Sequence, residues 1–136
     1  MEHWTDFIFD IQVDEILRCE GITPSDAHSR RPALVEAALQ VRQMGISNIH
    51  PGVVLQEAGI SEHRNHGIVL ENGTLLTSSC VANSFAGAES VVVAVCTIGP
   101  ELEKLSSETL RESPLIAMAY DGLGTAAVYA IRDQVC

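Results

Sequence analysis

The segment from Glu89 to Asp133 constrains the fold of this chain more than any other part of the sequence. It opens with Val91–Val95, an uninterrupted apolar run rich in β-branched residues, which predicts a central strand buried on both faces. Thr97-Ile98-Gly99-Pro100 then leads into a helix, and Ser113-Pro114 fits the start of a second one. Small residues recur along this last helix and predict close packing against a neighbouring backbone: Ala117, Ala119, Gly122, Gly124, Ala126, Ala127 and Ala130.

The first third of the chain shows two different periodicities. Apolar residues alternate with others over Phe7–Val13, which predicts a strand with one strongly apolar face. A short helix is expected from Asp14 to Gly21, followed by a polar loop over 22–31. Apolar residues at helical spacing then predict a helix from Pro32 to Gly45.

The middle of the chain carries a hairpin pattern. A strand is expected over Val53–Ile60, and Asn72-Gly73 between two short apolar runs predicts a β-hairpin with positive φ at both turn residues. Residues 77–79 can cap a short helix that ends at Gly87. The complete order of elements indicates an α+β fold in one domain, 1–136, with a mixed or antiparallel sheet, a β-hairpin and about five helices.

Composition excludes several classes of partner. The chain has 136 residues, 18 acidic against 8 basic side chains and a formal charge of −10, which argues against nucleic acid and against anionic membrane surfaces. No uninterrupted apolar run reaches the ~20 residues that a membrane span needs, and the N-terminus lacks the basic region of a secretory signal. The four cysteines have no short paired spacing, so they indicate reduced thiols in a cytoplasmic protein.

Thr97-Ile98-Gly99-Pro100 could hold an anion, since it joins a strand to a helix start. It has one glycine and no lysine, and Pro100 removes one of the amide donors, so it matches neither a nucleotide loop nor a dinucleotide fingerprint. A tight strand-to-helix turn is the favoured interpretation.

Histidines and one aspartate supply the other candidate chemistry. His63 and His66 lie beside Glu62, with His50 upstream, and such side chains can bind zinc. The stretch around them is polar and has no nearby cysteine, which is typical of a connecting loop. We therefore favour a solvated loop over the metal site of a metal-dependent enzyme. Asp121 follows Tyr120 within the small-residue helix and would be a site candidate only if it were buried.

The strand ending in CTIGPELE, the helix AMAYDGLGTAAVYAIRD and the preceding NGTLLTSSCVANSFAGAESV resemble one known family. They are similar to the activation domain of cobalamin (vitamin B12)-dependent methionine synthase, and most of all to stand-alone activation-domain-like proteins. The resemblance implies an activation domain of α+β fold that binds S-adenosylmethionine and docks on a cobalamin domain. There it supports reductive methylation of the inactive cobalt(II) cofactor.

The chain departs from this family at its ligand site. The family's contacts to S-adenosylmethionine centre on a downstream Arg-x-x-x-Gly-Tyr segment that has no match here, and His3 stands where the family has an acidic residue. No catalytic, cofactor or metal residue is therefore carried over, and whether the chain is an enzyme stays open. We expect a domain lacking the family's C-terminal part, with weak or no S-adenosylmethionine binding by this chain alone.

The expected partner is a corrinoid methyltransferase protein or a complementary C-terminal chain. A rival hypothesis is a non-catalytic assembly module that kept the fold and lost the chemistry. Its partner surface would be the exposed side of the final helix. Alanine and glycine on that helix let another helix approach closely, so a homodimer is one expected form.

Overall fold

The structure, a computed structural model, describes all of residues 1–136. The predicted α+β class is confirmed, with six α-helices, a 3₁₀ turn at Ile46–Asn48 and an antiparallel five-stranded sheet. Two compact units divide the chain: a sheet unit of residues 1–4 and 53–95, and a helical unit of residues 5–52 and 96–136. The elements in chain order are β1 (Glu2–Trp4), α1 (Val13–Cys19), α2 (Pro24–Arg30), α3 (Pro32–Gly45), β2 (Gly52–Arg64), β3 (Gly67–Leu70), β4 (Leu75–Thr77), α4 (Ser79–Ser84), β5 (Ser90–Thr97), α5 (Glu101–Thr109) and α6 (Pro114–Val135).

The long strand β2 organises the sheet unit. Its first residues pair antiparallel with β1, with Val53 opposite Trp4, and its last residues pair antiparallel with β3. β4 continues from β3, and β5 pairs with β2. A small apolar cluster lies over the sheet, formed by buried Ile68, Leu70 and Val91 with the half-buried side chains of Ala58, Ile60, Leu76, Val81 and Phe85.

The predicted hairpin at Asn72-Gly73 is confirmed, although its turn differs from the expected one. Only Gly73 has a positive φ, at 87°. Asn72 instead accepts a hydrogen bond from the Thr74 amide through its side-chain oxygen, at 2.9 Å, which lets asparagine shape the turn without the left-handed conformation. The polar stretch before this hairpin was expected to be a loop, which is wrong over Ser61–Arg64, because those residues extend β2 into a second hairpin.

β5 lies where the apolar run predicts a strand, but the predicted burial on both faces is wrong. Only Val91 is buried, whereas Val92, Val93 and Val95 are 65%, 46% and 68% exposed. The physical reason is that β5 has β2 as its single strand neighbour and no further layer covers its faces beyond Val91.

The helical unit is organised around α6, which contacts α1, α3 and α5. The predicted start of α6 is confirmed, since the Ser113 hydroxyl accepts a hydrogen bond from the Ile116 amide at 3.3 Å. The expected close packing is also found. A Cβ atom placed on Gly122 would lie 2.8 Å from the Ile16 carbonyl oxygen, so α1 and α6 meet there with no room for a side chain.

The core of the helical unit is continuous and mainly aliphatic. Its fully buried large side chains come from the segment before α1 and from four helices, and they are Ile11, Ile16, Leu17, Val41, Leu102 and Leu123. The predicted α3 from Pro32 to Gly45 is confirmed, with Ala38 and Val41 facing this core. The predicted stop after α1 is confirmed as well, since Gly21 adopts a positive φ of 80°.

Two expectations for the first third of the chain are wrong. Phe7–Val13 is not a strand, although its alternation is real: Ile11 is buried while Ile8, Asp10 and Gln12 face solvent. The segment is extended, but side chains rather than a neighbouring strand hold its backbone. The polar stretch over 22–31 contains helix α2, because Pro24 supplies a fixed first turn and buried Ala27 anchors the helix to the core.

Helix α6 is long and apolar enough to cross a membrane by length and composition. Half of its apolar window is buried inside the protein, as in the core helix of a water-soluble protein. Its packing against three other helices of the same unit accounts for this hydropathy, so the helix is weak support for a membrane span.

Candidate functional site

A groove of about 850 Å³ runs along α6 in the helical unit. One wall is the extended segment around Ile8 and Ile11, a second is α1, and the third is the last three turns of α6. Its volume is in the range of pockets that hold small ligands. The lining residues are Ile8, Asp10, Ile11, Glu15, Arg18, Cys19, Thr125, Ala126, Tyr129, Ala130, Arg132, Asp133 and Gln134.

Side-chain hydrogen bonds fix the extended wall of the groove. The Gln134 amide accepts from the Ile8 backbone N–H at 3.0 Å through Oε1 and donates to the Ile8 carbonyl at 2.8 Å through Nε2. Arg42 Nε donates to the Ile11 carbonyl at 2.6 Å. Gln134 therefore satisfies the backbone of Ile8 as a neighbouring strand would, which explains an extended conformation outside the sheet.

The charges along the groove differ in how they are paired. Arg132 donates through Nε and Nη2 to one oxygen of Asp133, at 2.9 and 2.8 Å, and its guanidinium lies 4.9 Å from the centre of the Tyr129 ring. The Arg18 side chain makes no hydrogen bond or ion pair. Arg18 is therefore the cation in this groove that is free to meet a ligand.

Burial perturbs two titratable groups near the C-terminal end of α1. Burial raises the pKa of Glu20 to about 7, and its Oε2 atom is buried without a hydrogen-bond partner. Burial also raises the pKa of the Cys19 thiol, with a further contribution from the negative charges of Glu15 and Glu20. Cys19 is consequently a poor nucleophile, because the reactive form of cysteine is the thiolate.

Thr97-Ile98-Gly99-Pro100 forms a tight connection between β5 and α5. Gly99 has a positive φ of 79°, and a Cβ there would lie 2.9 Å from the His50 Cβ. The His50 amide donates to the Ile98 carbonyl at 2.8 Å, and the Thr97 hydroxyl accepts from the Gly99 amide at 3.0 Å. The Gly99 amide, one of the groups that an anion would need, is thus already bonded within the turn, which supports the favoured interpretation as a tight turn.

The structure does not bring the candidate histidines into a metal site. His63 lies on β2 and its Nε2 is 3.0 Å from the Ala88 carbonyl, while His66 lies in the turn that follows. His50 lies in the connection before β2. No group of three or more His, Cys, Asp or Glu side chains is arranged to hold a metal ion. A metal-dependent enzyme built on these histidines therefore has no structural support.

Asp121 is exposed on α6, so the condition of burial that would make it a site candidate is not met. The four cysteines are free, and Cys80 and Cys136 are exposed. Ser78 caps α4, accepting hydrogen bonds from the amides of Cys80 and Val81, which gives the Ser78-Ser79-Cys80 stretch a structural explanation.

The groove was not predicted from the sequence. Its residues are separated by more than a hundred positions, from Ile8 to Gln134, and no local motif connects them. The nearest sequence signal is the pattern of polar residues at Thr125, Arg132 and Asp133 on a helix whose other side is small and apolar. A scan against protein-family models finds no match to the chain, and a search of curated proteins finds no similar sequence.

Proposed function

We propose that this chain is a methionine synthase activation-domain-like protein that assists a corrinoid-dependent methyltransferase in the cytoplasm. It acts by docking on the cobalamin-binding partner during reductive reactivation, and not through catalytic residues of its own. Its α+β fold is compatible with that family. The observation that carries the proposal is the order along the chain of β5, the Gly99 turn, α5 and α6, because these are the elements in which the sequence resemblance resides.

The geometry of α6 supports a scaffold role for this segment. Its small residues Ala119, Gly122 and Ala126 are buried inside the helical unit, and Gly122 lets α1 approach closely. The Gly99 turn is closed by its own hydrogen bonds and by the backbone around His50. The segments that carry the resemblance therefore have a structural role in the fold. A ligand or a partner protein would have to bind in the groove or on the exposed surfaces.

The test is reactivation of a cobalamin-binding methyltransferase domain loaded with cob(II)alamin. The chain is mixed with that domain, a one-electron reductant and S-adenosylmethionine, and visible absorbance follows formation of methylcobalamin. We expect faster methylation and a change in the cob(II)alamin spectrum when the chain is present. A spectrum and a rate that stay unchanged at saturating chain would contradict docking.

Calorimetry on the isolated chain separates docking from ligand binding. We expect weak or no binding of S-adenosylmethionine, because the family's Arg-x-x-x-Gly-Tyr segment has no counterpart here. A one-to-one site with micromolar affinity would contradict this expectation, and the groove would then be the candidate binding site. The variant Arg18→Gln is the matched probe, since Arg18 is the unpaired cation there.

A second candidate function is a non-catalytic assembly module, favoured by the absence of any recognisable catalytic arrangement. The proposed role of the small residues of α6 in such assembly does not fit the structure, because those residues are already buried within the unit. The other side of α6 exposes Leu115, Met118 and Tyr129. Light scattering tests this candidate, and a strictly monomeric chain with no effect on a corrinoid partner would count against both functions.

A further inference from the structure

β5 has the composition of an interior strand and the exposure of a surface strand. Runs of valine and alanine without charge are typical of strands covered on both faces. Val93 and Val95 follow the buried Val91 on one face of β5, and Val92 lies on the opposite face, so both faces expose valine. Exposed apolar surface of this kind marks an interaction site in a soluble protein.

The open edge of β5 adds unpaired backbone groups to the same surface. β5 pairs with β2 along one edge, and no strand pairs with the other. Natural edge strands are protected by charged residues, proline or short length. β5 has eight residues, and none between Ser90 and Thr97 is charged or proline, so it lacks all three protections.

We propose that β5 is a self-association site, at which a second copy of this chain pairs antiparallel with β5 across a two-fold axis. The paired edges extend the sheet from one copy into the other and cover valine side chains from both. Closed two-fold dimers use the same patch on both copies, and an uncharged strand is complementary to itself. When a two-fold axis relates two antiparallel strands, one residue of the first copy lies opposite the same residue of the second copy. Val93 and Ala94 are the two residues nearest the middle of β5 that can take this position.

Charge does not oppose this pairing at the strand itself. With Val93 opposite Val93, Glu89 of one copy lies opposite Thr97 of the other. The two Glu89 carboxylates are then about eight residues apart along the strands, roughly 27 Å at ~3.4 Å per residue. This distance exceeds the Debye length of about 8 Å at physiological ionic strength, so their repulsion is largely screened.

The dimer is expected to be weak. Pairing through one strand covers less area than the ~1,200–2,000 Å² of a standard interface. Each copy also carries a formal charge of −10, which disfavours association at low ionic strength. Dimerisation should therefore strengthen as salt rises, which is opposite to the salt dependence of a complex between an acidic protein and a basic partner.

Sedimentation velocity on the full chain tests the proposal, over a concentration series at low and high salt. Val93→Lys places a charge on the strand, and Met118→Lys is the matched control, because Met118 on α6 is equally exposed, at 47% against 46%. We expect a dimer for the native chain and for Met118→Lys, and at least a tenfold weaker association for Val93→Lys. A native chain that stays monomeric at every concentration would overturn the proposal, as would a dimer that Val93→Lys leaves intact.

Disulfide trapping tests the geometry independently of the lysine variants. In a background with all four native cysteines changed to serine, Val93→Cys or Ala94→Cys is oxidised with diamide, and Met118→Cys serves as the control. We expect a covalent dimer from at least one strand variant, since residues opposite each other at a two-fold axis lie within disulfide range. Equal trapping in all three variants, or trapping only through Met118→Cys, would contradict pairing at β5.

Discussion

The helical unit and the sheet unit are both rich in apolar residues, yet they bury them to very different degrees. In the helical unit, α6 contacts three other helices and its apolar residues enter a continuous core. In the sheet unit, the apolar cluster has only three buried residues, Val53 and Leu55 are buried on β2, and the most apolar strand exposes three valines. The difference teaches that burial is decided by how many neighbouring layers an element has, and less by its own hydropathy.

The largest effect should come from truncating leucines in the two cores. Leu123→Ala removes a fully buried side chain from the centre of the helical unit and should lower the free energy of unfolding by about 3–5 kcal/mol. Leu70→Ala in the small cluster should cost nearer to about 2 kcal/mol, because partly exposed neighbours can relax around it. Urea denaturation, monitored by circular dichroism, measures both free energies. An equal loss in the two variants would contradict the difference in burial between the two cores.

The next effect compares two glycines of α6. Gly122→Ala should cost about 1–3 kcal/mol, since its Cβ would meet the Ile16 carbonyl oxygen at 2.8 Å and backbone cannot move aside cheaply. Gly124→Ala meets only the end of the Ile98 side chain at 3.3 Å, so higher helix propensity should give a change between zero and a gain of about 1 kcal/mol. Thermal melts of the pair check this, and a destabilised Gly124→Ala variant would contradict it.

Glu20 gives the helical unit a pH dependence. Its pKa rises from the ordinary 4.5 to about 7 on folding, so the folded state holds the proton more tightly and stability falls as pH rises from about 4.5 to 7. Glu20→Gln should remove this loss and raise the free energy of unfolding at pH 8 by about 1 kcal/mol, a value reduced for the solvent that reaches this half-buried carboxyl.

Urea unfolding at pH 5 and pH 8 measures the Glu20 effect. Glu103→Gln on the exposed side of α5 controls for the loss of one negative charge. If the native chain is as stable at pH 8 as at pH 5, the carboxyl is solvated and its burial carries no cost.

The smallest effect is expected on β5. Val93→Thr should change the free energy of unfolding of the monomer by less than about 0.5 kcal/mol, because nearly half of the side chain is already in contact with solvent. The measurement is made at low protein concentration, where self-association does not contribute. A loss of several kcal/mol would show that β5 is buried, as its sequence alone predicts.

The positions of helices and turns could be predicted from the sequence. Which faces of these elements are covered by other elements could not. Pro32, Ser113 and Gly73 act on their immediate neighbours, and the helices and hairpin that they mark are where we expected them. The exposure of Val92 depends on whether another layer covers the strand, which no local pattern encodes. Phe7–Val13 has the alternation of a strand, but it is bonded by Gln134 and Arg42, which are distant in the chain.

The candidate site was beyond prediction for the same reason. Arg18 and Tyr129 line one groove although more than a hundred residues separate them, and neither belongs to a motif. Glu20 looks like an ordinary surface residue in the sequence, and only its position against Gly122 explains its burial. The sequence predicts the close packing of α6 correctly, but it does not reveal the groove and it wrongly predicts that β5 is buried on both faces.

The helical unit is discontinuous in the chain, and this has a consequence for its synthesis. The core face of α3, which includes Val41, is made well before its partners on α6, such as Leu123. At ~5–20 residues per second, the ribosome needs roughly 4–16 s to add the ~80 residues between them. During that interval the apolar faces of α1 and α3 have no α6 to cover them, so we expect the nascent chain to need protection from aggregation until α6 emerges.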